Sequence, residues 1–273
     1  MIVKLLNHPD YTKKEKLLWG LFVFGMANRY QLAEMLNCSV HNVDRIIKEW
    51  NRKLPQTDRF ILARRPARDQ PRMYYLGPRG WDLVTEWMEE NRRFFGKKKR
   101  RAGHYRGVTE IFLRLVRRIG YRELPERLVW QSEYEAWETI LYPWSLANAE
   151  RWKDPQVRDE EQQLLTRPDA RAIVNGLPYW LEYDHDTKRE APMKEQLRRY
   201  IESLAYLPPY VDVHHPVVWV VPNERRRREL KKWWSVVRKE PDYQELDLIP
   251  EMHFFVQGEE TNFLLKKEIQ QTG

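Results

Sequence analysis

The stretch TRPDARAIVNGLPYWLEYDHDTKREAPMKEQLRRYIESL, residues 166–204, decides how the second half of this chain folds. Within it, Asn175-Gly176 is the strongest short hairpin signal, because a two-residue turn needs positive φ at both positions and these two residue types accept it. The flanking segments 170–174 and 179–183 read as the two strands. A two-residue turn pairs Val174 with Leu177; counting outward sets Asp169 opposite Glu182, with Asp184 two residues further along the same face. A four-residue loop sets Asp169 opposite Asp184 instead. In either register Asp169, Glu182 and Asp184 converge near one strand end.

Like charges paired across strands are destabilising on their own, so clustered carboxylates need a cation, a shared proton or bulk water. Pro168-Asp169 followed by Glu182-x-Asp184, with lysines shortly after, has the spacing of a hard divalent-metal site. Magnesium or manganese would take one or two of these oxygens plus waters and a phosphate, and set a nucleophilic water against a phosphodiester. A solvent-facing strand end with polar caps is the plainer alternative. Residues 190–207 form an amphipathic helix with Met193, Leu197, Tyr200, Ile201 and Leu204 inward. Lys194 on that helix is a charge partner for the carboxylates, and Lys188 in the preceding loop is the alternative. HPVVWVVP (215–222) reads as a buried central strand, Asn223 caps a helix containing ERRRRELKKWW, and 246–257 supplies a last strand. Upstream, 108–119 is a helix with Glu110 off its apolar face, 126–136 holds a first strand, and 137–167 is helix and loop anchored by Trp137, Trp144 and Trp152. Strands flanked by helices give a mixed α/β domain over 107–273.

Residues 1–91 read differently. Leu17, Leu18, Leu21, Phe22 and Phe24 recur at helical spacing, and a short second helix follows with Tyr30, Leu32, Ala33 and Leu36 inward. Asn37-Cys38 makes a turn, and Ser39 is a good N-cap for a third helix over 40–53. Its stripe of Val43, Ile46, Ile47 and Trp50 faces inward, and His41, Asn42, Arg45 and Lys48 lie on the other side. Strand-like 60–63 and 73–76 enclose the loop RRPARDQPR, Gly77-Pro78 ends the hairpin, and a helix runs over 79–90. That order is a winged helix-turn-helix, so the fold class is α+β. In this reading the third helix, from Ser39 through His41, Asn42, Arg45 and Lys48, enters a major groove. Arg64, Arg65, Arg68 and Arg72 of the wing lie along phosphates or the minor groove. Residues 92–106, RRFFGKKKRRAGHYR, read as a basic linker with Gly96 and Gly103 as flexible points.

Charge separates the two parts. Of 48 Lys/Arg and 40 Asp/Glu in 273 residues, 22 and 11 fall within residues 1–101, a net of +11, leaving −3 for the remainder. A basic module joined to a mildly acidic one points to a polyanionic partner, double-stranded DNA, for the first. No apolar run approaches the ~18 residues of a membrane span, and no secretory signal is expected at the start. Cys38 is the only cysteine, which excludes an intrachain disulfide and fits a reducing, cytoplasmic setting. No glycine-rich phosphate loop and no serine-nucleophile signature is present.

YYLGPRGWDLV (74–84), HYRGVTEIFLRLV (104–116), RPDA (167–170), WLEYD (180–184), the spacing from Lys194 to Tyr200 and VVWVVPNERRRREL (217–230) together resemble the replication-relaxation proteins of plasmids and other mobile elements. The resemblance covers roughly residues 12–257. It implies a role in initiating replication or mobilisation, exposing DNA for a partner relaxase or replication initiator. The second half is also similar to the restriction-endonuclease-like core, PD-(D/E)xK, an Asp at a strand start followed by Glu-x-Lys. Carried over, Asp169 and Glu182 match the metal ligands and Glu110 the additional acid of some members. The lysine position holds Asp184, so Lys194 or Lys188 would have to replace it; otherwise the domain is a binding platform without chemistry. Two readings stand: a DNA-binding accessory protein with no cofactor, or a magnesium- or manganese-dependent endonuclease using Asp169, Glu182 and Asp184. Winged helices often dimerise, and a homodimer is one expectation.

Overall fold

The computed structural model describes residues 2–88, 102–186, 188–246 and 248–266. It divides into two compact units, Met1–Trp130 and Gln131–Gly273. Among the described residues the architecture is α+β, with one sheet of three strands and one of five. Among the described residues, no helix is long and apolar enough to cross a membrane.

The first unit opens with α1 (Ile2–Asn7), whose Ile2, Val3, Leu5 and Leu6 are buried, an element that the sequence pattern did not signal. A capping box between Thr12 and Glu15 starts α2 (Lys13–Phe24), and Gly25 at φ 71° ends it. The two-residue strand β1 (Ala27–Asn28) leads into α3 (Arg29–Met35), where Asn28 and Gln31 form a second capping box. Asn37 takes the turn at φ 45°, and Ser39 caps α4 (Val40–Trp50) by accepting the Asn42 N–H at 3.2 Å. β2 (Ile61–Arg64) and β3 (Met73–Leu76) are antiparallel, and β1 pairs on the other side of β3. Helix α5 (Pro78–Trp87) closes the unit of winged-helix order. Its first turn crosses the segment before β2 so closely that a Cβ at Gly80 would lie 2.2 Å from the Phe60 carbonyl oxygen. Tyr30 departs from expectation: it is 56 % exposed rather than inward, because the first turn of α3 turns it away from Leu32, Ala33 and Leu36, which are buried.

Helix α6 (Ala102–Ile119) starts six residues earlier than its apolar pattern suggested. Residues 92–101 of the expected linker lie outside the described residues, and Ala102–Arg106, including Gly103, are helical. The helix belongs to the first unit. Phe112 packs on Phe24 at a ring distance of 4.9 Å and on Trp130 at 5.3 Å, and Arg117 bridges Glu34 and Glu110 at 2.5 and 2.7 Å. A sequence division at 92–106 therefore differs from the compact division at Trp130, because the apolar face of α6 completes the core beside α2 and α3. Helix α7 (Leu124–Arg127) then leads into β4 (Leu128–Ser132), within which the division between units falls.

The first strand stops at Ser132 rather than reaching 136, since Ser132 and Glu135 form a capping box that starts α8 (Glu133–Ala147). Asp154 caps α9 (Pro155–Leu164). The five-stranded sheet has the order β4-β5-β6-β7-β8, and its last four strands lie in the second unit. β5 (Ala170–Val174) and β6 (Leu177–Tyr183) form the expected hairpin, with Asn175 and Gly176 at φ 51° and 87°. The chain then crosses through α10 (Glu190–Leu204) to β7 (Val217–Val221), and through α11 (Glu224–Val237) to β8 (Met252–Val256), both parallel additions. A short α12 (Glu260–Leu264) follows. The core of this unit gathers Trp180, Trp219, Leu197, Ile201 and Leu230 between sheet and helices; burying each such side chain contributes about 1.5–3 kcal/mol.

Candidate functional site

In the first unit the two halves of the expected nucleic-acid surface are built as one piece. Val43 and Ile46 bury one side of α4 and leave His41, Arg45 and Lys48 exposed, with Asn42 half-buried. Trp50 fastens the end of the helix by donating its indole N–H to the Lys14 carbonyl at 3.2 Å. Arg45 makes an ion pair with Glu49 at 3.3 Å, and Lys14 reaches the same carboxylate at 2.6 Å. The hydrogen bond from Lys14 and then the surrounding positive charge keep Glu49 below the usual carboxylate range. Asn51, just past α4, reads the backbone of β2 twice: its amide donates to the Ile61 carbonyl at 2.7 Å and its Oδ1 accepts the Ile61 N–H at 3.2 Å. That double bond sets the hairpin against α4. The register Arg64↔Met73 leaves residues 65–72 as the wing, with Arg65, Arg68 and Arg72 exposed and Arg64 half-buried at its root. Ser39 stands at the start of α4, its oxygen engaged as the cap.

In the second unit the hairpin adopts the two-residue register, Val174↔Leu177 through Ala170↔Leu181. Asp169 therefore stands opposite Glu182, and its Oδ2 accepts the Tyr183 N–H at 2.7 Å. Glu182 is 3 % exposed, and its Oε1 accepts the Tyr200 hydroxyl of α10 at 2.7 Å. Burial first, then the charge of Asp169, pushes the Glu182 carboxyl well above its usual range, and a hydrogen bond between the two carboxyls adds to this; the charge of Lys188 works the other way. Burial and the facing Glu182 raise the Tyr200 hydroxyl as well. The site is thus two facing acidic side chains, Asp169 and Glu182, under a tyrosine, at the strand end next to the loop that carries Lys188.

Asp184 does not join this pair. Its carboxylate lies on Arg226 of α11, and both side chains are almost fully buried, at 3 % and 2 %. Arg226 also reaches Asp186 at 3.4 Å, Glu229 at 3.0 Å and the Lys188 carbonyl at 2.8 Å, and its guanidinium lies 4.8 Å from the centre of the Trp233 ring. A buried acid needs a counter-charge more than it needs a place on a shared face. Among the described residues no three His, Cys, Asp or Glu side chains stand close enough to hold a metal ion together. Of the three expected carboxylates, Asp169 and Glu182 face each other and Asp184 stands on Arg226.

Two further expectations change for the same kind of reason. Lys194 makes an ion pair with Glu190 one turn back on α10, at 2.7 Å, so Lys188 is the lysine that acts on Glu182. Glu110 is engaged by Arg117 at 2.7 Å and by the Gln31 amide at 3.4 Å within the first unit. The periodicity of residues 190–207 places Tyr200 in the core but does not disclose its hydrogen bond, and Arg226 carries no expectation of its own within ERRRRELKKWW. An unmatched acid one residue past a strand end, Asp184, was the available signal for a buried cation.

The family model described as replication-relaxation matches residues 23–207, about two thirds of the chain. The match runs from the last residues of α2 through α10, taking in α4, the wing, Asp169 and Glu182. No curated protein and no solved structure matches the chain.

Proposed function

This chain belongs to the replication-relaxation family, and from that premise we propose that it is a duplex-DNA-binding accessory protein acting in initiation of replication or mobilisation of a plasmid or other mobile element. The observation that carries the reading is the exposed row His41, Arg45 and Lys48 on a helix tied by Asn51 to an arginine-bearing wing. In this reading α4 supplies base-edge contacts in a major groove, and Arg65, Arg68 and Arg72 supply phosphate or minor-groove contacts. The second unit then positions the DNA or a partner such as a relaxase or replication initiator, and a homodimer is one form that could act.

A second reading, metal-dependent phosphodiester hydrolysis, is favoured by the Asp169–Glu182 pair. Asp169 stands just before β5 and Glu182 on β6, as the Asp-then-Glu order of the restriction-endonuclease-like resemblance implies. Two facing acidic side chains suit a hard cation, and magnesium or manganese needs only one or two carboxylates beside water and phosphate. Asp169 and Glu182 fit such an ion without Asp184. The bound ion would supply Lewis-acid polarisation of the phosphate; Tyr200 would hold the Glu182 carboxylate in place, and Lys188 would favour its ionised form.

One experiment tests both. Full-length protein is incubated with supercoiled and linear DNA in magnesium, manganese or EDTA, beside the variants Arg45→Ala/Lys48→Ala and Asp169→Ala/Glu182→Ala. Under the first reading the band shift survives EDTA and weakens several-fold or more in the Arg45/Lys48 variant; unchanged affinity there would sink it. Under the second, nicking requires the divalent ion and disappears in the Asp169/Glu182 variant, while intact DNA with a retained shift overturns it.

A further inference from the structure

We propose that α6 extends the DNA-binding surface of the first unit, with Arg29, Arg72 and Arg106 forming a phosphate-binding track beside the wing. The inference rests on the duplex-binding reading and goes beyond the helix-turn-helix and wing.

Its basis is a small apolar node that gathers three separate segments. Met26, Met73, Ala102 and Tyr105 are buried against one another, with Tyr75 packed alongside. Met73 follows Arg72 directly, and Ala102–Tyr105 form the first turn of α6, so the root of the wing and the start of α6 share one anchor. β1 pairs Asn28 with Met73, which brings Arg29, the next residue, beside the point where Arg72 enters β3. Two hydrogen bonds fix α6 at this place. The buried Gln31 donates its amide to the Arg106 carbonyl at 3.0 Å, and Thr109 reaches the Met26 carbonyl at 3.4 Å.

The three arginines around the node remain available to solvent. Arg72 and Arg106 are exposed, and the side chain of Arg29 is 46 % exposed, with Asp44 at 3.8 Å. Tyr30 accounts for the posture of Arg29: the guanidinium lies 5.0 Å from the ring centre and donates to the hydroxyl at 3.1 Å. An arginine propped on an aromatic ring loses less side-chain freedom on meeting a phosphate, and its planar fork suits the phosphodiester oxygens. Phosphate contacts fix register without reading sequence, which is the role a rigid flank of a winged helix can fill. The occupant that matches this charge and spacing is the duplex backbone next to the segment gripped by the wing.

The test is a salt series of fluorescence-anisotropy titrations on full-length protein with duplex DNA. Arg29→Ala/Arg106→Ala is expected to weaken binding several-fold and to lower the slope of log K against log salt by about 2, because each phosphate contact contributes about 0.9. Lys4→Ala/Arg122→Ala removes the same charge elsewhere on the unit and should leave the slope in place; an equal fall there would reduce the effect to net charge and overturn the track. Wild-type affinity and slope in Arg29→Ala/Arg106→Ala, with weakened binding in Arg45→Ala/Lys48→Ala, would also overturn it while leaving the duplex-binding reading intact. Failure of the wild-type protein to bind duplex DNA at any salt would overturn both.

Discussion

Helices α4 and α11 look alike on paper: each is capped by a polar residue, each is amphipathic, and each carries arginine. In the folded chain they use arginine in opposite ways. On α4 the Arg45 side chain is 61 % exposed. On α11 Arg226 is 2 % exposed and is shared among Asp184, Asp186, Glu229 and a backbone carbonyl. What distinguishes them is the supply of buried acid nearby: β6 ends in a carboxylate that must be neutralised, whereas the acid beside Arg45, Glu49, is one that solvent reaches. Local positive charge is therefore no measure of what a partner can reach, and the acidic complement of each segment has to be read with it.

The sharpest way to break this contrast is to remove each arginine and measure stability. Arg226→Met leaves Asp184 buried without its counter-ion and should cost about 3–5 kcal/mol in urea unfolding followed by tryptophan fluorescence. Adding Asp184→Asn should recover part of that loss. Arg45→Ala should leave the unfolding midpoint in place, and a comparable drop there would erase the distinction. A smaller effect is expected at the wing, where Arg64→Ala/Arg65→Ala/Arg68→Ala should flatten the salt dependence of duplex binding by about 2–3 in slope. An unaltered slope would mean that these arginines do not touch phosphate.

The smallest effect concerns Glu182, where the carboxyl is pushed up by burial and by Asp169. A carboxyl raised in the folded state contributes stability fully below its ordinary unfolded value and loses it as pH rises through the folded value. Glu182→Gln removes this titration and keeps an acceptor for Tyr200. Its stability relative to wild type should therefore rise as pH climbs through and above the ordinary carboxylate range. Thermal melts across that range check it, and a pH-independent difference would show that the pair does not hold a proton in the folded state.

Much of this was legible in the residues. Asn175-Gly176 signals a tight turn, and of the two registers it leaves open the structure takes Val174↔Leu177, which sets Asp169 opposite Glu182. Ser39 and Asn223 mark their helix starts because a side-chain oxygen satisfies an N–H left over at a helix end. Burial along α10 followed its periodicity at Met193, Leu197, Tyr200, Ile201 and Leu204. The remainder depended on contacts distant in sequence. Among the four consecutive arginines, 225–228, Arg226 lies four residues before Leu230 and seven before Trp233, on the buried stripe of α11, and what the residues do not disclose is its partner Asp184 some forty residues earlier. The first turn of α6 looked like linker because Gly103 and the preceding cations mask a helix that is anchored by Met26 and Met73. Tyr30 read as core by its spacing, whereas it stands exposed on the first turn of α3 with the Arg29 guanidinium over its ring.

The paired hydrogen bonds from Asn51 to Ile61 carry a mechanical consequence. Because one amide side chain satisfies both backbone groups of a strand residue, the hairpin cannot swing away from α4 without leaving a donor and an acceptor unmatched. The span between α4 and the hairpin is then that of a caliper with a fixed jaw. A double helix seated in it would have to accommodate that gap through its own groove width and curvature, so sequences that deform easily would be held more tightly even where no side chain reads a base.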